Sequence, residues 1–170
     1  MTPTVLEAIN QQVTNEFGAS FSYLAMAGWC EHNNYTGAAA WLRLQSAEEH
    51  AHGMRLFNFL LARNHQARLL GMQAPRADFA SLLEVFEQAL AQERSVSAQI
   101  DRLYELAFSE KVFAAMAELQ WFITEQVEEE KTVREIVSKL RMVSHDPASV
   151  LDIDRELGGR QPAAAAGAGD

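Results

Sequence analysis

Residues 45–52 read Gln45-Ser46-Ala47-Glu48-Glu49-His50-Ala51-His52, with two glutamates and two histidines inside five residues. Trp41-Leu42 precede the stretch and Leu56-Phe57 follow it, so an amphipathic helix runs through it. At alternating 4-3 spacing its core-facing positions are Ala38, Leu42, Gln45, Glu49, His52, Leu56 and Phe59. Glu49 and His52 therefore fall on the face that the flanking residues commit to the core. Glu48 stands one residue off that seam, and His50 turns away. A carboxylate held in a core needs a partner, because desolvation costs several kcal/mol per ion even after relaxation.

The punctuation around this helix defines the fold class. Thr4-Val5-Leu6-Glu7 has the form of a capping box and opens a first helix running to about His32. Asn33-Asn34-Tyr35-Thr36-Gly37 makes a short turn, so the second helix, about 38–63, returns antiparallel. Ser81-Leu82-Leu83-Glu84 is a second capping box and opens a helix over 81–107. A break near Ser109 precedes a fourth helix, about 111–142. Asp146-Pro147 places an N-cap before a proline and starts a short fifth helix that ends at Gly158-Gly159.

Residues 64–80 contain Gly71 and Pro75 and lack helical periodicity. Seventeen extended residues reach roughly 56 Å, whereas helices of about 27 residues are roughly 40 Å long. The connection can therefore run the length of a bundle and leave the third helix parallel to the second. The expected architecture is an all-α four-helix bundle with one long crossover and a short C-terminal helix, over residues 1–158. The tail 159–170 is rich in alanine and glycine and is expected to be flexible.

The other three helices carry the same signature. The first seam reads Leu6, Ile9, Val13, Glu16, Ser20, Tyr23, Ala27, Cys30. The third reads Leu82, Phe86, Ala89, Glu93, Val96, Ile100, Leu103, Ala107. The fourth reads Val112, Ala115, Leu119, Phe122, Gln126, Glu129, Val133, Ile136, Leu140. Every seam is apolar at both ends and polar near its middle, with glutamates at positions 16, 49, 93 and 129. All four lie about 12 to 18 residues into their helices, at similar heights in the bundle.

Four converging carboxylates cannot all stay ionised and unpaired. No lysine or arginine occupies a seam, which favours a metal. A glutamate from each of two helices (Glu16, Glu93), with a Glu-x-x-His on another (Glu49, His52), is the di-iron carboxylate pattern of helical bundles. The last helix departs from it with Gln126-x-x-Glu129. Oxygen-rich ligation with one imidazole suits iron or manganese. The alternative for each glutamate is a snorkelling bundle residue in a solvated polar layer.

Composition narrows the classes. The chain has 170 residues, is 48% hydrophobic and carries a net charge of −9, which disfavours nucleic acid as a partner. Its single cysteine, Cys30, excludes a disulfide framework and thiolate metal sites. No apolar run is long enough to span a membrane, and MTPTVLEAINQQ is not a secretory signal. The expected compartment is the cytoplasm.

The stretches NEFGASFSYLAMAGWC, GAAAWLRLQSAEEHAH, AQERS and QWFITEQVEEEK, in this order and with the crossover between them, closely resemble the prokaryotic non-haem ferritins. The resemblance covers nearly the whole chain. It implies a hollow cage of twenty-four copies that oxidises Fe(II) with O₂ and stores Fe(III) mineral. By position it implies a first iron site at Glu16, Glu49 and His52. Glu49 would bridge to a second site completed by Glu93 and Glu129, with Gln126 close by. It further implies a third iron site at Glu48, Glu125, Glu128 and Glu129. Glu130 reads as a solvated neighbour. Tyr23 resembles the family's tyrosine beside the iron pair, as an electron donor or as a core aromatic bonded to a ligating carboxylate.

Haem is not expected, because the position that holds a ligating methionine in bacterioferritins is His50 here. Off-seam apolar residues Phe17, Phe21, Leu24, Trp41 and Leu44 suggest a face for another copy of the chain. Two other functions stay open from the residues alone: a di-iron oxidase or peroxidase acting on an organic substrate, and a metal-free helical interaction protein.

Overall fold

Local signals set the ends of five helices in the computed structural model, which describes residues 1–162. They are α1 (Pro3–His32), α2 (Thr36–Ala62), α3 (Leu82–Ser109), α4 (Phe113–Val143) and α5 (Pro147–Gly158). Ser81 caps α3 by accepting from Glu84 N at 3.1 Å, and Asp146 caps α5 by accepting from Ala148 N at 3.2 Å, as their sequences require. The first helix starts earlier than its Thr4 motif suggested. Thr2 is its N-cap, accepting from Val5 N at 3.4 Å, and Pro3 fills the first turn with a preset φ. Asn34 and Lys111 take left-handed φ values of 65° and 57°, closing the α1–α2 and α3–α4 hairpins.

Two apolar clusters fill the bundle. One gathers the start of α1 (Val5, Ile9, Val13), the end of α2 (Leu56, Leu60), the end of α3 (Ile100, Leu103) and the start of α4 (Leu119, Phe122). The other gathers the opposite ends, including Tyr23, Met26, Leu42, Phe86, Val133 and Leu140. That grouping makes α3 parallel to α2. Residues 63–81 run along α1 to make it so. Asn10 exchanges two hydrogen bonds with the Arg68 backbone, Leu70 N donates to Thr14 Oγ1 at 3.3 Å, and Phe79 packs edge-on against Trp29. Each large aliphatic side chain so buried contributes about 1.5–3 kcal/mol.

The α3 seam is buried from Leu82 to Ala107, whereas the α1 seam drifts at its start and the α2 seam at its end. Val5 and Leu60 are fully buried, whereas Leu6 and Phe59, expected there, are only partly so. A straight helix turns every 3.6 residues, so a 3.5-residue pattern slips over several turns. Trp41, assigned to an outer apolar face, is buried against Phe86 and Tyr23, while Phe21 and Leu24 are exposed.

The short α5 lies across the start of α2. Asp154 accepts from Ala38 N at 2.7 Å and Gly37 N at 3.3 Å, neutralising the positive end of α2. A Cβ on Gly37 would sit 1.8 Å from the Asp154 carbonyl oxygen, so the approach needs glycine here. Asp154 is thus a buried cap at the start of α2. Of the tail expected to be flexible, residues 163–170 lie outside the described residues. Arg160, by contrast, is packed against α2. Among the described residues, no helix is long and apolar enough to cross a membrane.

Candidate metal centre

Between the two apolar clusters lies a layer of buried polar side chains: Glu16, Gln45, Glu49, His52, Glu93, Gln126 and Glu129. Each main helix supplies at least one because its seam glutamate stands mid-helix, with apolar neighbours on both sides holding that turn inward.

Glu16, Glu49 and His52 each bring a potential ligand atom within 4.8 Å of the others. Gln12 Nε2 donates to Glu16 Oε1 at 2.8 Å, one turn away on α1. Among the described residues, Glu16 Oε2, both oxygens of Glu49 and Nδ1 of His52 are buried without a hydrogen-bond partner. Leaving one such group unmade costs about 1–3 kcal/mol, and more when it is charged. His52 Nδ1 is 3.5 Å from Glu49 Oε2. Burial, reinforced by Arg55, pulls the imidazole pKa down to about 4, so at neutral pH the pair carries no ionic attraction. The ring packs edge-on against Trp121 and Phe122.

Glu93 faces the same layer with both oxygens engaged, and Glu129 with one. The Tyr23 hydroxyl donates to Glu93 Oε1, and Gln126 Nε2 donates to Glu93 Oε2 at 3.1 Å. Gln45 Nε2 donates to Glu129 Oε2 at 2.8 Å. A second group with metal-holding spacing consists of His52, Glu125 and Glu129. Glu93 belongs to neither group, and both of its oxygens accept from donors. Glu48 is 2.7 Å from Arg160, and Glu128 is exposed, 3.8 Å from Lys131.

The electrostatics follow from crowding. Burial, then the neighbouring Glu93, pushes Glu129 up to about 8, against the opposing bond from Gln45. Burial pushes Glu16 up to about 7, with Gln12 and Glu49 opposing. Glu49 is raised well above the usual carboxylate range by burial and by Glu93, Glu16 and Glu129. Glu93 is raised by burial too, despite its two donors. Around neutral pH the layer holds protons that a cation would displace. The neutral imidazole, orphaned oxygens and exchangeable protons fit a divalent metal.

Three participants were not assigned from sequence. Gln12 and Gln45 could have been found, since each lies one turn before a seam glutamate. Arg160 carried no local signal, because it lies beyond α5 in a stretch without periodicity.

The ferritin-like domain pattern matches residues 6–143. The bacterial non-heme ferritin of Staphylococcus aureus strain USA300 is 34% identical over 160 residues, covering 94% of this chain and 96% of that protein. That of Staphylococcus saprophyticus is 35% identical over 156 residues, covering 92% and 93%. An open-pore ferritin from the hyperthermophilic archaeon Archaeoglobus fulgidus superposes with a TM-score of 0.93 at 35% identity, covering 95% of this chain and 99% of that one. A closed form of the A. fulgidus ferritin, engineered by site-directed mutagenesis, gives 0.92 at 36%, covering 95% and 98%. Pattern, sequence and fold agree along nearly the whole chain: it belongs to the ferritin family.

Proposed function

We propose that this chain is a cytoplasmic iron-storing ferritin that takes Fe(II) and O₂ as substrates and keeps Fe(III) mineral inside an assembly of twenty-four copies. One observation carries the catalytic part: Glu16, Glu49 and His52 meet in a core with four unpartnered ligand atoms. A bundle selected for stability alone would bury apolar groups there.

In this reading Glu16, Glu49 and His52 hold the first iron. Glu49, with both oxygens free, reaches the second, which Glu93 and Glu129 complete. Iron supplies the electrons, one from each Fe(II), that reduce O₂. The chain supplies the rest. Its carboxylates favour Fe(III) over Fe(II) as hard oxygen donors. Its neutral His52 presents a lone pair, because burial removes the proton. Tyr23 and Gln126 orient Glu93, and Gln45 orients Glu129. Trp121, Phe122 and the two apolar clusters keep bulk water out. The protons displaced from the carboxyls are available to reduced oxygen.

A third ion beside the pair is supported by the His52, Glu125 and Glu129 group. Glu48 and Glu128 stand at its margin.

Light scattering together with iron loading tests the storage part. The expected result is a particle of about 450 kDa, twenty-four times the 18.9 kDa chain, that takes up far more than three irons per chain. A smaller particle that saturates at two or three irons would leave an oxidase without storage.

A further inference from the structure

The Arg160 guanidinium makes three contacts on one side of α2. Its Nη2 donates to Glu48 Oε2 at 2.7 Å, its Nη1 donates to Gln45 Oε1 at 2.5 Å, and its carbon lies 4.7 Å from the centroid of the Trp41 ring. Its side chain is 24% exposed and that of Glu48 21%. The fold delivers it there. Leu157 is buried in the core, and Asp154 is locked to the start of α2. A turn from Glu156 and Leu157 to Gly159 and Arg160 then brings the chain back over Trp41.

Two consequences follow from this placement. Arg160 neutralises Glu48, whose charge bears on Glu125 and Glu129 of the second group. It also fixes the orientation of Gln45. With Oε1 held by the guanidinium, the amide must aim its Nε2 at Glu129, which it does at 2.8 Å. One cation therefore holds Glu48 by charge and restrains Glu129 through a single intervening amide.

We propose that Arg160 is a resident counter-cation that controls entry of an additional metal ion at the Glu48 side of the centre. While it is docked, Glu48 is occupied and Glu129 is tied to Gln45. When a multivalent cation takes Glu48, the guanidinium leaves, Gln45 is free to turn, and Glu48 can join the group that His52, Glu125 and Glu129 already form. Arg160 is thus a positioning residue, and the proposal rests on the reading of the buried layer as a metal centre.

Terbium(III) tests this in the iron-free, full-length protein. It is a hard, oxygen-seeking and redox-inert cation, and Trp41 beside Arg160 can sensitise its luminescence. Titrations compare wild type, R160A, R160K, E48Q, R160A/E48Q and E49Q. In wild type, one weaker binding step should be sensitive to E48Q. R160A should tighten that step by on the order of tenfold, because one positive charge is lost a few ångströms away. R160K, which keeps the charge, should restore most of the wild-type affinity. R160A/E48Q should lose the gain.

Three results would overturn the proposal: no step sensitive to E48Q, an R160A titration that overlays wild type, or a gain that persists in R160A/E48Q. Failure of the buried metal centre would show separately, as tight steps unaffected by E49Q.

Discussion

The Tyr23 hydroxyl donates to Glu93 Oε1 across the bundle, joining α1 to α3 through two fully buried side chains. This bond satisfies a carboxyl that burial would otherwise penalise, and Gln126 satisfies the other oxygen at 3.1 Å. Tyr23→Phe should lower the stability of the metal-free chain by about 1–3 kcal/mol, the cost of one unmade buried bond. Thermal melting in chelator measures it. A melting temperature equal to wild type would mean that the hydroxyl does not support Glu93.

The titration of the buried layer gives stability a definite slope against pH. Glu16 and Glu129 are raised from an ordinary value near 4.5 to about 7 and about 8. The folded state then binds more protons than the unfolded one, so stability falls as pH rises between about 4.5 and 8. His52, lowered from 6.5 to about 4, has the opposite sign, but its contribution is complete above 6.5. From pH 6.5 to 8 only the carboxyls act. The metal-free melting temperature should drop across that window, and Glu16→Gln should reduce the drop. A rising melting temperature would contradict the buried acidic layer.

Cation binding should reverse that penalty and release protons. Fe(II) added anaerobically at pH 7 should liberate protons in proportion to the metal bound, because the carboxyls it meets are partly protonated. Calorimetry in two buffers of different ionisation enthalpy reads the number directly. Binding without proton release would place the ions outside this layer.

The α2–α5 junction depends on a backbone approach that no side chain can relieve. Gly37→Ala puts a Cβ 1.8 Å from the Asp154 carbonyl oxygen, so α5 must move. Asp154→Ala removes a cap and should cost about 1–2 kcal/mol. Both should speed hydrogen exchange in α5 while leaving the amides of α1 and α3 protected. Uniform loss of protection would instead make α5 part of the main cooperative unit.

How far the sequence carried the fold depended on periodicity. Glu16, Glu49, Glu93 and Glu129 could be set at one height because apolar residues flank each at helical spacing, and the long crossover followed from chain length alone. Val5 replaced Leu6, and Leu60 replaced Phe59, where the 3.6-residue turn outran the pattern. Thr2 replaced Thr4 as the cap because a threonine before a proline competes for the same role two residues earlier. The partners of the carboxylates were less legible. Gln45 lay on its seam without a visible task until Glu129 was found 2.8 Å away. Arg160 reaches Glu48 from 112 residues along the chain, a distance over which no periodic signal connects them.

Iron oxidation itself is the most direct measurement. Stopped-flow mixing of the apoprotein with Fe(II) and O₂ should give a fast phase whose amplitude stops growing at two irons per chain. Ala replacement of Glu16 or Glu93 should suppress that phase, because each removes one side of the buried layer. A fast phase unchanged in both variants, or one that scales with iron without a break, would contradict a di-iron centre at these residues.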